Sequence, residues 1–477
     1  MIVSNAKRLM AYSAISWTNA LIGFILIPVA TRLFPPAELG KINLLISCAS
    51  IAYVICLLGF DQGFLRFYYD FPDDRKRRSL FSYCLKISLS AFAVLGVALC
   101  LASNWLSIAI CGNPDVFTTI ALLLVVLAQI ALRFSQSLWR ARENILLFAV
   151  SSLLMAGITK FCYMFAGFVS YTYDAALFSL SACSVLSFVV VLCLVSRTLS
   201  LRKTLLDGVS VKELWAYAIP LAPSAVLSLA NSYIPMYAVR AGFSFGDVGV
   251  FSMAVTLSAV VSVFATGVNS FWPSYVFKNY RTRQKTIQRF HQLFVLALSS
   301  VVLAVIAIED VVLQLLGPEY LAASCYFPFM LMGPYAYAVG ETAGMGLHIS
   351  KRSRYFALIY LAALASNVAL CIALPPLLGM RGAALASSLS AVVALSLKAY
   401  LGEREYRSVS SMRYMVVSLL VIFSVSVANA SLDLGSLQRF FVAAAGFVAI
   451  LVLYGPEGLR DSVALLGQGC RSMVRKG

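Results

Sequence analysis

The sequence predicts an all-α polytopic membrane protein of about fourteen transmembrane helices, built as two pseudo-symmetric six-helix lobes with two further helices at the C-terminus. Three observations carry this prediction. The composition suits lipid, positive charge alternates between successive connections, and several features recur 208 residues apart.

Composition comes first. Of 477 residues, 61% are hydrophobic and only 12% are charged. Soluble domains carry about 25% charged residues, so lipid must serve as solvent for much of this chain. The apolar segments run to roughly 20 residues, enough to cross about 30 Å of hydrocarbon as helix. The ten-residue alternating segments of a membrane β-barrel are missing from the sequence. The expected spans are 9–33, 38–60, 80–104, 115–139, 145–170, 174–196, 213–239, 246–270, 290–308, 321–347, 354–376, 381–402, 412–430 and 437–454. The first begins after Lys7 and Arg8 and is too long for a signal peptide; no small-residue cleavage site follows it. Glu309 and Asp310 interrupt the apolar run after the ninth. The 11 cysteines are scattered singly, with no CxxC pair, and read as small packing residues. His291 and His348 stand alone, so no metal site is expected.

Positive charge orients the spans, because Lys and Arg are retained on the cytoplasmic side. Of the 37 Lys and Arg, all but seven fall on the N-terminus, on every second connection or on the C-terminal tail. Arg32, Lys41, Arg240, Arg381 and Arg439 fall on the other side, and Arg133 and Lys160 lie inside spans. Both termini are therefore expected in the cytoplasm. Orientation accounts for the net charge of +17, and no basic patch on a soluble element points to nucleic acid.

The repeat sorts the spans. Arg32 maps onto Arg240, Gly59 onto Gly267, Asp61 onto Asn269 and Phe64 onto Trp272. Ala175-Ala176-Leu177 maps onto Ala383-Ala384-Leu385, and Pro28 falls within one residue of Pro235. The expected divisions are 1–204 and 205–410 as two copies of a six-helix lobe, then 411–477 as helices 13 and 14 with a cytoplasmic tail. Six is even, so the copies run parallel about an axis along the membrane normal.

The stretch from Ile27-Pro28 through Arg32-Leu33-Phe34-Pro35-Pro36-Ala37-Glu38-Leu39-Gly40 is similar to the span 1–2 connection of bacterial oligosaccharide flippases. These are the Wzx-type members of the multidrug/oligosaccharidyl-lipid/polysaccharide exporter superfamily. Leu39 stands where an aromatic is usual. Asp247-Val248-Gly249-Val250-Phe251 resembles the corresponding element of the second copy, and Gly379-Met380-Arg381-Gly382-Ala383-Ala384 resembles the entry to span 12. The resemblance implies a multi-pass protein of the bacterial cytoplasmic membrane that acts without covalent chemistry. Its implied cargo is a polyprenyl-pyrophosphate-linked oligosaccharide for surface polysaccharide. Membrane lipids, a polysaccharide polymerase and a chain-length regulator are the implied partners. No cofactor is implied, and coupling to H+ or Na+ stays open.

Such a cargo needs a cation-lined polar path. Lys160 lies about ten residues, roughly 15 Å of helix, from the outer end of its span, where an unpaired ammonium costs a few kcal/mol. Arg133 lies near the cytoplasmic end of span 4, and the 208-residue offset sets it against Glu341. The two are expected either to pair across the lobes when the cytoplasmic side closes or to satisfy local groups. Asp61 and Asn269 end spans 2 and 8, as water-boundary caps or as ion-coupling groups. Arg66 is placed to meet a phosphate from the cytoplasm, although topology alone also accounts for it. Spans 1 and 7 are polar and proline-broken: Ser13, Ser16, Thr18, Asn19 and Pro28 in one, Pro220, Pro223, Ser224, Ser228, Asn231 and Pro235 in the other. Bent polar helices suit cavity walls, and helix packing uses the same residues.

Three other readings compete. A peptidoglycan-precursor flippase carries a similar anionic lipid. A cation-coupled multidrug antiporter predicts twelve spans and buried carboxylates. A membrane polysaccharide polymerase or glycosyltransferase needs a large outer loop with catalytic residues, and the connections here are short.

Overall fold

A hydrocarbon solvent leaves the backbone no water to bond with, so spanning segments close their hydrogen bonds internally. The computed structural model answers to that rule with helices throughout. It describes the backbone except at residues 1, 72, 199–210, 351, 353, 433 and 475–477. Side chains are further left out at 2–13, 16, 20, 168, 197, 265, 267, 269–271, 274 and 456–474. The expected lobe boundary at 204/205 and the side chains of Ser13, Ser16 and Asn269 thus lie outside the described residues.

Each expected span has a helical counterpart. These are α1 Ile2–Leu33, α2 Pro36–Leu57, α3 Asp74–Leu101, α4 Val116–Ala141, α5 Ile145–Lys160, α6 Tyr173–Val195 and α7 Ala222–Gly242. They continue with α8 Phe245–Ser258, α9 Gln284–Ala307, α10 Phe327–Ala343, α11 Arg354–Ala373, α12 Met380–Glu405, α13 Met412–Ser431 and α14 Ser436–Val474. By length and composition, eleven helical segments suit a membrane crossing, and Trp17–Leu33 and Ile145–Lys160 are shorter apolar helices. The remaining span, α10, is only 17 residues long and is followed by a separate turn, Met345–Ile349.

Local chemistry explains many of the ends. Asp73, Asp115, Asn144 and Thr172 cap α3, α4, α5 and α6, each accepting a backbone N–H of the first turn. Several spans differ from the continuous helices expected. The segment 145–170 is α-helix only as far as Lys160 and then tightens into a 3-10 helix, Cys162–Phe168. The segment 321–347 opens with 3-10 helix Pro318–Cys325 before α10 begins. Glu309 and Asp310, which interrupted the apolar pattern, start a short helix, Glu309–Leu313. Asp61 does not end a helix. Leu58 and Gly59 take left-handed conformations, α2 stops, and Asp61 lies in the first turn of a new helix, Phe60–Phe67.

The chain divides into two compact units, 1–252 and 253–477. In the first, α4 is central and packs on α2, α3, α5 and α6. Edge-to-face contacts among Phe64, Phe81 and Phe134 fill the space where Phe60–Phe67, α3 and α4 meet. Helix α7 and the start of α8 belong to this unit, where α7 packs on α2. In the second unit α10 and α12 form the central pair, α11 covers α12, and α9 packs on α13 and α14. Helix α12 buries mainly small residues, including Gly382, Ala383, Ala384, Ala386, Ser388 and Gly402. Small residues let helix backbones approach where lipid supplies no hydrophobic drive.

Candidate functional site

Lys160 is the last residue of α5, where the helix macrodipole favours a cation. Its side chain reaches α1, where Nζ donates to the Asn19 carbonyl oxygen at 3.1 Å and lies against Gly23. No carboxylate pairs with it among the described residues. Lys160 is exposed on the helix bundle, and the chain just beyond it has left α-helical geometry. A 3-10 stretch within a span leaves a weaker ladder and marks a hinge. Lys160 and Asn19, singled out separately in the sequence, thus meet on facing helices, and an ammonium with spare donors stands where a helix gives way.

Arg133 and Asp61 also meet. The Arg133 Nε donates to Asp61 Oδ2 at 2.8 Å, and Gln62 Nε2 donates to the same oxygen at 2.8 Å. The Asp61 side chain is 6% exposed and that of Arg133 35%. Asp61 is therefore a buried counterion, and the water-boundary cap expected for it is corrected accordingly. Glu341 has its own partner in the second unit. Lys398 Nζ donates to Glu341 Oε1 at 2.7 Å, and the ammonium lies 5.2 Å from the Tyr337 ring and 5.1 Å from the Tyr360 ring. Arg133 and Glu341 thus each pair with a group of their own unit.

Lys398 departs from the charge alternation. The alternation assigns it to a cytoplasmic connection, yet its side chain is 3% exposed inside α12. Helical spacing carried the signal: Leu395, Lys398, Ala399 and Gly402 share one buried face.

The other candidates stay more peripheral. Arg66 is exposed and pairs with Asp70 one turn on, at 3.3 Å. Pro28 lies inside α1, and Pro235 is buried inside α7, which follows a break at Ile219–Leu221. Asn231 is half-buried in α7.

Broken spanning helices, with an ion pair inside each of the two units, make this an all-helical membrane bundle. The chain belongs to the family described as polysaccharide biosynthesis protein, whose sequence profile matches residues 6–273. Among curated proteins none matches the sequence. Among solved structures, the chain is similar to a lipid II flippase, MurJ, in an inward closed conformation, with 13% identity and a TM-score of 0.68 over 93% of this chain and 98% of that one. It is also similar to the MATE multidrug transporter DinF-BH, at 17% identity and a TM-score of 0.57, over 84% of this chain and 96% of that one. The crystal structure of a MATE mutant matches at 15% identity and a TM-score of 0.55, over 83% of this chain and 95% of that one. At these identities the likeness is one of fold.

Proposed function

We propose that this protein moves a polyprenyl-pyrophosphate-linked oligosaccharide from the inner to the outer leaflet of the bacterial cytoplasmic membrane, for surface polysaccharide assembly. The carrying observation is Lys160: an ammonium at the break of a spanning helix, held by one carbonyl and, among the described residues, by no carboxylate. That arrangement suits a pyrophosphate arriving with its own negative charge. Membership of the polysaccharide biosynthesis family supports the sugar cargo.

In this reading residues 1–204 and 205–410 are two six-helix lobes that rock about the cargo, and both termini face the cytoplasm. Asn19 shares the Lys160 subsite, Asn231 lines the path from α7, and Arg66 receives the phosphate from the cytoplasm. Pro28 and Pro235 let α1 and α7 bend. The carboxylates of Asp61 and Glu341, neutralised by Arg133 and Lys398, are the groups through which proton or sodium coupling acts, with Asn269 as the counterpart of Asp61. A polymerase and a chain-length regulator take the product onward.

The test is deletion followed by complementation. Loss of the gene should leave a lipid-linked repeat unit on the inner leaflet. The wild-type protein and Lys160→Arg should clear it. Lys160→Ala, present at equal abundance, should lower clearance at least tenfold. Normal surface polysaccharide after deletion, with no redundant gene, would sink the reading, and so would full activity of Lys160→Ala. Accumulation of the peptidoglycan precursor instead would move the cargo to that lipid.

A further inference from the structure

On its way to the Asn19 carbonyl, the Lys160 side chain lies across α1 at Gly23. A Cβ added at Gly23 would stand 2.9 Å from the Lys160 Nζ, 3.1 Å from its Cδ and 3.4 Å from its Cε. Those are the three nearest atoms, so the space that an alanine methyl would fill is held by this one side chain. Helix α1 runs unbroken through both residues. Gly23 is one turn on from Asn19, so its amide points at the same carbonyl that takes the ammonium. A carbonyl oxygen carries two lone pairs and serves both donors. The lysine thus rests on one rung of α1, its stem against the glycine and its head on the oxygen.

The usual reasons for a glycine do not apply at this position. Glycine weakens a helix interior relative to alanine, so local propensity opposes it. Its φ is not among the positive ones, so the backbone conformation does not require it. Its nearest neighbours are side-chain atoms of Lys160, so no helix backbone approaches there as closely. The sequence repeat supplies an internal comparison. An offset of 208 residues sets Val368 at the place of Lys160 and Asn231 at the place of Gly23. The copy that lacks the cation lacks the glycine as well, which fits a glycine that serves the lysine.

We propose that Gly23 is the positioning residue of the phosphate subsite, a slot one side chain wide that fixes the Lys160 ammonium on the Asn19 carbonyl and aims its other N–H donors at phosphoryl oxygens. The proposal rests on the flippase reading for its cargo and on the geometry for the slot. An ammonium has three donors. Asn19 takes one, and among the described residues no carboxylate takes another. A lysine stem is long and flexible, and fixing it before the anion arrives removes part of the ordering cost of binding. The slot also makes a steric prediction. A methyl at position 23 would collide with the far end of a flexible side chain and not with backbone. The packing of α1 on α5 then survives while the ammonium is driven off its carbonyl, so the substitution acts on the position of the charge.

The experiment uses the full-length protein, in detergent for binding and in proteoliposomes for transport. Inorganic pyrophosphate is the binding probe, followed by calorimetry, and lipid-linked oligosaccharide is the transport substrate. Gly23→Ala should weaken pyrophosphate binding at least fivefold and raise KM at least fivefold, with kcat within twofold of wild type. In a Lys160→Ala background the same substitution should change neither by more than twofold, because no ammonium is left to displace. Gly242→Ala, where an added Cβ meets nothing within 4 Å, should match wild type. Wild-type affinity and KM in Gly23→Ala overturn the slot. So does an equal loss in both backgrounds, or a fall in kcat at unchanged KM, either of which marks a structural role. Should Gly23→Ala be too unstable to purify, adding Lys160→Ala should restore its yield, and failure to restore it overturns the slot. If pyrophosphate binding responds as expected while the wild-type protein moves no lipid-linked sugar, the slot stands and the cargo assignment falls. Transport impaired by Lys160→Ala but untouched by Gly23→Ala keeps the cargo assignment and removes the slot.

Discussion

Removing either member of the Lys398–Glu341 pair should have unequal consequences, because the two are unequally buried. The ammonium is 3% exposed and the carboxylate 24%, at 2.7 Å separation. At an effective dielectric of about 20 their attraction is about 6 kcal/mol before desolvation is set against it. Glu341→Gln leaves the buried Lys398 side chain without its counterion, beside the Tyr337 and Tyr360 rings and with Tyr360 as a hydrogen-bond partner. Each such contact is worth only about 1–2 kcal/mol, so the loss should approach the roughly 3–5 kcal/mol typical of a broken buried pair. Lys398→Met instead leaves a carboxylate with about a quarter of its surface open to solvent, at a cost of about 1–2 kcal/mol. The assay is thermal unfolding of the purified protein in detergent, with both single variants and the double variant as a cycle. Glu341→Gln should have the lower midpoint, and the coupling energy should be at least ~2 kcal/mol. If Lys398→Met is the less stable single variant, or if the coupling is near zero, burial does not govern this pair.

The first unit should show the same rule with the signs exchanged. Asp61 is the buried partner there and Arg133 the more exposed one, so Arg133→Gln should destabilise by about 2–4 kcal/mol and Asp61→Asn by about half that. Unfolding midpoints of the two variants check the order, and the reverse order refutes it. Glu309, in the connection after α9, gives a pH dependence. Burial raises its pKa from 4.5 to about 8, Arg439 pulls it down, and Asp310 adds to the rise. The folded protein then holds a proton between pH 4.5 and about 8 that the unfolded chain has released. Stability should therefore fall as pH rises through that window, and Glu309→Gln should flatten the slope. An unchanged slope in midpoint against pH would show that Glu309 is not the group responsible.

Much of this molecule was legible because lipid imposes coarse rules. An apolar run of about twenty residues crosses lipid as a helix, and the Lys and Arg pattern must alternate, so the order of α1–α14 followed from counting. The breaks inside spans were less visible. Nothing in Ile158-Thr159-Lys160-Phe161-Cys162 departs from an apolar helical run except the threonine and the lysine. The turn to 3-10 geometry there goes with a contact from another helix, the Ser179 hydroxyl donating to the Cys162 carbonyl at 2.7 Å. Ion-pair partners were harder still. The 208-residue offset set Arg133 against Glu341 as equivalent positions, but equivalence is not contact. Each found a counterion on another element of its own unit: Asp61 beyond α2, and Lys398 on α12. A Lys close to a helix end, such as Lys398, reads as a topology signal unless its place on the buried face is weighed.

The two kinds of charge in this chain obey different constraints. Asp61–Arg133 and Glu341–Lys398 are neutralised within a unit, so they add no net charge to the interior and leave little field for a passing anion. Lys160 meets only partial charges: the C-terminal end of α5 and the Asn19 carbonyl, which stabilise an ammonium without cancelling it. A carboxylate in the same place would have made a stronger local contact and a poorer site for phosphate. In the flippase reading, attraction for a pyrophosphate therefore falls on Lys160 and not on the two neutralised pairs.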